Sequence, residues 1–169
     1  MKLIRTDKRT IEVVYLHCTA TAPGKPVSVE AIRRYHMDVR GFRDIGYHYV
    51  VQPDGTIEEG RPSDEQGAHV KGDNVRTIGV CMIGEWNSIQ PLRDDPQLMA
   101  TGELLARLCY LYGIEPMTYG LLLHREAHLY RPLVPNPHKS CPGVNIDGSV
   151  MRKYVNGHYN RLYGVDVPE

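Results

Sequence analysis

An α/β fold is predicted, a single domain with a mixed central β-sheet flanked by helices. Three observations carry this. Runs rich in β-branched and aromatic residues alternate with segments of helical periodicity along the whole chain. No linker, internal repeat or low-complexity stretch separates them. A tight Pro-Asp-Gly turn joins two β-rich runs, so at least one strand pair is antiparallel. With 169 residues, the chain fits one domain at about 150 residues per domain, taken as 1–169.

The first strand is Ile11 to Leu16, ending at His17-Cys18-Thr19. Two prolines and a glycine make Thr21 to Pro26 a loop. Ser28 is placed to cap a helix running to about Arg40, with Val29, Ile32, Tyr35 and His36 or Val39 on one face and Gly41 as its stop. Gly46 to Val51 reads as a strand, turned at Gln52-Pro53-Asp54-Gly55 into the short partner Thr56-Ile57-Glu58. Thr77 to Gly84 is nearly all apolar, as a central strand covered on both faces should be. Asp95-Pro96 is an N-cap followed by proline at the first helical position. Leu98, Leu105, Leu108 and Tyr112 continue at helical spacing to a stop at Gly113. Tyr119 to Leu123 is a further strand ending at His124, and four prolines make 125–146 a long irregular loop of the kind that is usually functional. A last helix runs from about Ser149 to Tyr163.

Composition excludes several classes of function. Forty-one percent apolar and 24% charged residues are ordinary for a globular protein and argue against disorder. Twenty basic against 20 acidic residues leave a formal charge of +0, which argues against a nucleic-acid binder working by charge attraction. No apolar run approaches the roughly 20 residues of a membrane span. The start MKLIRTDKRT has no apolar signal core, so synthesis without Sec export is expected, with the four cysteines reduced. A monomer is expected.

Two strands end in histidine, Leu16-His17 and Leu123-His124, and Cys141 stands on the proline-rich loop just before Pro142-Gly143. Two imidazoles and one thiolate form a ligand set used by catalytic Zn²⁺, with the fourth position left for water. Spacing alone also fits duller roles: a strand-end histidine as a hydrogen-bonded structural group, a free cysteine as a small buried hydrophobe.

Five segments stand in order: Leu16-His17-Cys18-Thr19-Ala20-Thr21, Gly46-Tyr47-His48-Tyr49, Gly67-Ala68-His69-Val70-Lys71-Gly72-Asp73-Asn74, Thr77 to Gly84, and His124-Arg125-Glu126 with Lys139-Ser140-Cys141-Pro142-Gly143. Together, over about residues 11 to 146, they resemble the type-2 family of zinc N-acetylmuramoyl-L-alanine amidases, the superfamily of phage T7 lysozyme and the peptidoglycan recognition proteins. The resemblance implies a mixed sheet flanked by helices, a Zn²⁺ site in a surface groove, and hydrolysis of the bond between N-acetylmuramic acid and L-alanine in peptidoglycan. It implies His17, His124 and Cys141 as metal ligands and Tyr47 and Lys139 as catalytic groups. It implies His69 as a substrate contact in the groove; Asn74 is a further candidate contact, and His36, which reads first as structural, is a candidate to line the groove.

Chemistry agrees with these roles: amide hydrolysis needs a nucleophile, a sink for oxyanion charge and a proton for the leaving amine. Without the surrounding pattern, Tyr47 reads as an ordinary strand aromatic and Lys139 as a solvated loop charge. Three features depart from a simple match. The spacing from His124 to Cys141 is longer than is common in the family, so that Ala127 to His138 is a candidate rim over the groove. His128, four residues after His124, is an alternative ligand. His48 and His138 read as structural. Glu126 is placed to orient a ligand histidine from behind.

A cell-wall-lytic amidase of the endolysin kind, acting on the wall after release, is the leading reading. A cytoplasmic enzyme recycling muropeptides is its variant. The alternatives are a binding-only module of the same fold, which commonly lacks the cysteine, and a metal-free thiol hydrolase using Cys141 or Cys18. A muramidase would need two carboxylates across a cleft, and no distinctive acidic pair stands out.

Overall fold

Residues 3, 5, 8–88, 90, 94–135 and 140–164 are described by the structure, a computed structural model. Five strands, β1 (Val13–Cys18), β2 (Tyr49–Val51), β3 (Ile57–Glu59), β4 (Thr77–Met82) and β5 (Leu121–Leu123), form one sheet in the order β3-β2-β4-β1-β5. β1 pairs in parallel with β4 and β5, and β2 in parallel with β4; only the β2–β3 hairpin is antiparallel. The mixed sheet is therefore as expected, and Pro53-Asp54-Gly55 is its hairpin turn, with Gly55 at φ 87°.

Side-chain alternation divides the sheet into two faces. Val14 and Leu16 of β1 and Leu121 and Leu123 of β5 meet α2 (Pro96–Tyr112) and α4 (Gly148–Tyr163) through Leu104, Leu105, Leu108 and Val155, in the main core. Val13 and Tyr15 face the other way with Leu122, into a smaller core with Val70, Ala127 and Val134. A third cluster joins α1 (Val29–Arg34) to Val50 and Ile83. Among the described residues, no helix is long and apolar enough to cross a membrane.

The helix ends follow their sequence signals. The Ser28 hydroxyl accepts from the Ala31 N–H at 3.2 Å, and Asp95 accepts from the Leu98 N–H at 3.0 Å. Gly113, at φ 69°, supplies the left-handed C-cap.

Three expectations need correction. The strands are shorter than their β-rich runs; Gly46 to His48 precede β2, and Ile11 and Glu12 precede β1. The helix from Ser28 is α-helical only to Arg34 and then widens into one π-helical turn, Tyr35–Val39. His36 is buried there with Val29 and Ile32, while Tyr35 and Val39 are exposed. Residues 125–146 are not a continuous loop: His124–Glu126 is a 3-10 turn and Ala127–Tyr130 a short helix, α3. The first proline of that segment is Pro132, so the chain before it is free to wind, and Arg131 is extended as residues preceding proline prefer.

Candidate metal centre

Register explains why two distant histidines meet. β1 and β5 run in parallel with Leu16 opposite Leu123, so His17 and His124 are the next pair and continue the face that carries Tyr15 and Leu122. Their Nδ1 atoms lie 3.1 Å apart, and Cys141 Sγ lies 3.9 Å from His17 Nδ1. The three donor atoms all fall within 4.8 Å of one another, the one such group of His, Cys, Asp and Glu among the described residues. Zn–N bonds of about 2.0–2.1 Å and a Zn–S bond of about 2.3 Å set tetrahedral edges of roughly 3.3 and 3.6 Å. The donor set fits a Zn²⁺ ion to within small side-chain shifts. His128 lies outside the group.

A chain of hydrogen bonds sets the tautomer of His17. The Thr77 hydroxyl donates to the Asp73 carbonyl at 2.9 Å, leaving its oxygen to accept from His69 Nε2–H at 3.3 Å. His69 Nδ1 then accepts from His17 Nε2–H at 3.1 Å, and the lone pair of His17 Nδ1 points at the cluster. Burial lowers the pKa of His69 well below its ordinary value, as this neutral relay requires. The ring fits because glycines lie beneath it: a Cβ on Gly67 or Gly79 would come within 2.6 or 2.7 Å of it. His69, expected to touch substrate, stands in the cavity wall and pairs both ring nitrogens with protein groups. The oxygen of Asn74, expected to do the same, accepts the N–H groups of His69 and Val70, each at 2.9 Å, and braces the relay loop.

The loop bearing the sulfur is held by Arg125. Its backbone N–H donates to the Cys141 carbonyl at 3.0 Å. Its guanidinium donates to the carbonyls of Ser140 at 3.3 Å, Gly143 at 2.6 Å and Ile146. Gly143, at φ 140°, lies so close to Trp86 that a Cβ would sit 2.4 Å from the Trp86 carbonyl carbon. The Cys18 N–H donates to Cys141 Sγ at 3.4 Å. A hydrogen bond with the Cys18 thiol, together with burial, pushes the Cys141 thiol well above its ordinary pKa, so a thiolate there needs a cation beside it.

Glu126, expected behind a ligand histidine, has other partners among the described residues. Its carboxylate accepts the Leu123 N–H at 2.9 Å and pairs with Arg152 at 2.8 and 3.1 Å, tying the end of β5 to α4. His48 is structural: Nδ1 accepts the Gly79 N–H at 2.9 Å and Nε2 reaches the Glu65 carbonyl at 3.0 Å.

His124 and Cys141 line a cavity of about 580 Å³ whose wall also includes Cys18, His36, His69 and Tyr47. The ring centroid of Tyr47 stands 5.3 Å from that of His17 and 5.3 Å from that of His36, and His36 Nδ1 is taken up by the Gly46 N–H at 2.9 Å. Burial raises the pKa of the Tyr47 hydroxyl, keeping it a proton donor. Lys139 and His138 lie outside the described residues. Sequence reasoning missed Arg125 and Thr77. A glycine within an apolar central strand, Gly79, was the available signal that another group comes close to the backbone there.

Residues 7–144 match the N-acetylmuramoyl-L-alanine amidase family. The endolysin of Enterobacteria phage T3 is 43% identical over 77 residues, 46% of this chain and 50% of that protein. The N-acetylmuramoyl-L-alanine amidase of Sus scrofa is 32% identical over 127 residues, 70% of this chain and 21% of that protein. Among solved structures, N-acetylmuramoyl-L-alanine amidase LysC from Clostridium intestinale URNW superposes with a TM-score of 0.71 at 26% identity, over 88% of this chain and 87% of that one. The chain spans about half the length of the phage relatives it matches.

Proposed function

The chain belongs to the N-acetylmuramoyl-L-alanine amidase family, and from that premise we propose that it is one zinc-dependent catalytic domain that hydrolyses the amide between N-acetylmuramic acid and L-alanine of peptidoglycan. The observation that carries this is the meeting of His17, His124 and Cys141 within 4.8 Å, with His124 and Cys141 at the wall of a cavity and His17 buried behind them. When bound, Zn²⁺ supplies a Lewis acid for the carbonyl and lowers the pKa of a water towards about 7.

The chain's own residues do the rest. His17 and His124 hold neutral imidazole lone pairs towards the ion, and Thr77 and His69 hold the first of them in the required tautomer. Tyr47, on the cavity wall, donates its hydroxyl to the charge that develops on the carbonyl oxygen. Lys139 is assigned a cationic contact to that charge. His36 lines the same cavity and contacts the substrate.

The complete three-donor set favours catalysis over a binding-only module. The phage relatives favour action on the cell wall.

The test compares wild type with Cys141→Ala. Zinc per chain is measured, and purified peptidoglycan is digested while new amines and new reducing ends are followed. New amines without reducing ends, lost together with zinc in the variant, are expected. Reducing ends, full activity in the variant, or binding without cleavage would each overturn the reading.

A further inference from the structure

The relay behind His17 ends on the backbone carbonyl of Asp73, which accepts the Thr77 hydroxyl at 2.9 Å. Asp73 is itself fixed at every polar group it has. Its N–H donates to the Val70 carbonyl at 3.0 Å. Its carboxylate accepts both arms of the Arg131 guanidinium, Nε at 2.8 Å and Nη2 at 3.0 Å. The Tyr15 hydroxyl donates to the same carboxylate at 2.8 Å. A guanidinium fork on both oxygens of a carboxylate fixes orientation as well as distance.

Arg131 belongs to the stretch Ala127 to His138, which lengthens the spacing between His124 and Cys141. It ends α3, where its N–H donates to the Ala127 carbonyl at 2.9 Å and its carbonyl accepts the Val134 N–H at 3.0 Å. Ala127 and Val134 pack with Tyr15 and Val70 in the smaller core, so the backbone on either side of Arg131 is anchored. A second, looser partner of Arg131 is Glu12, at 3.8 Å. The Tyr15 ring is wholly buried, with its centroid 6.3 Å from that of His17 and 6.0 Å from that of His69. One carboxylate thus ties the stretch after β5 to the strand that bears His17 and to the turn behind His69.

We propose that Asp73 and Arg131 are positioning residues of the metal centre: their ion pair fixes the direction in which hydrogen bonds run from Thr77 through His69 to His17. The proposal rests on the amidase reading for the part of His17 as a ligand. Thr77 is where that direction can fail, because a hydroxyl both donates and accepts and its proton rotates to suit. A carbonyl only accepts, so an Asp73 carbonyl held in place keeps the Thr77 proton turned away from His69. If that carbonyl drifts, the hydroxyl donates to His69 Nε2 instead. His69 then carries its proton on Nδ1 and can only donate to His17 Nε2, and the His17 proton moves to Nδ1. The lone pair that faces the metal is lost. The lengthened stretch therefore does more than wall the groove: through Arg131 it keeps a ligand in its binding tautomer.

The test uses the full chain, with and without Zn²⁺. Ring ¹⁵N shifts read the histidine tautomers, and competition with a chelating indicator reads Zn²⁺ affinity. Wild type is expected to carry the proton on Nε2 in both His17 and His69. Arg131→Gln is expected to mix in the Nδ1-protonated form at both when metal-free. It is also expected to bind Zn²⁺ about tenfold more weakly, the lower end of what a hydrogen bond to a charged group contributes. Arg131→Lys, which keeps the charge and one of the two bonds, falls between. His48 is the control, because its ring bonds to Gly79 and Glu65 lie off this chain of partners. Thermal melting checks the fold. If Arg131→Gln does not fold, Tyr15→Phe decides: it keeps the ring, removes one bond to Asp73 and shifts the same two histidines by a smaller fraction. In a folded Arg131→Gln chain, His17 still wholly protonated on Nε2, or Zn²⁺ bound as tightly as by wild type, would overturn the proposal. Equal loss of order at His48 would also overturn it, as general loosening. Failure of the amidase reading shows separately, as peptidoglycan left uncut by a chain whose tautomers respond as expected.

Discussion

Replacing His69 by leucine tests whether the buried relay, and not the donor atoms alone, sets metal affinity. Leucine has a similar volume and no polar atom, so it leaves the His17 Nε2–H, now paired at 3.1 Å, without an acceptor in a site where His17 is 1% exposed. An unsatisfied buried donor costs about 1–3 kcal/mol, which is roughly 5- to 150-fold in an equilibrium constant. That range brackets the 10–100-fold typical when the outer partner of a ligand histidine is removed. Zn²⁺ affinity is measured by competition with a chelating indicator, and melting of the metal-free protein reports the fold. His69→Asn, whose side-chain oxygen can stand near the position of Nδ1, is expected to recover part of the loss. A folded leucine variant that binds Zn²⁺ as tightly as wild type would refute the relay.

Two further outcomes follow from the same region. Arg125→Ala removes the guanidinium contacts to Ser140, Gly143 and Ile146. It should lower stability by about 3 kcal/mol and speed alkylation of Cys141 by iodoacetamide in the metal-free protein; an unchanged alkylation rate would show that the loop holds itself. Burial lowers the pKa of His48 from 6.5 to about 4 in the folded chain. The unfolded chain therefore binds the proton first, and stability present above pH 6.5 is lost as pH falls towards 4, by about 3 kcal/mol in full. Urea unfolding at pH 7 and pH 4.5 reads this, and His48→Asn should flatten the difference.

Much of the fold could be read from local chemistry. Ser28, Asp95 and Gly113 act through contacts a few residues away, and a tight turn such as Pro53-Asp54-Gly55 is a local event. The two histidines were visible because each ends an apolar run. Their meeting was legible only through the family resemblance, because it depends on β5 docking beside β1 with Leu16 opposite Leu123, a register that neither strand encodes alone. Arg125 was hidden for a different reason: its partners are carbonyl groups, which every residue possesses, so nothing in the letters of 140–146 marks them as acceptors. His69, read as a groove residue, does stand in the cavity wall, and Gly67 and Gly79 make room for its ring against the sheet. A glycine in an otherwise apolar central strand gives up packing and ordering entropy. That cost is offset only if something valuable occupies the space, and here the occupant is the imidazole that orients His17. The same reasoning makes Gly72 informative: its missing side chain admits the Leu133 carbonyl, and with it Val134 and Pro135, which wall a second cavity of about 370 Å³ beside His124.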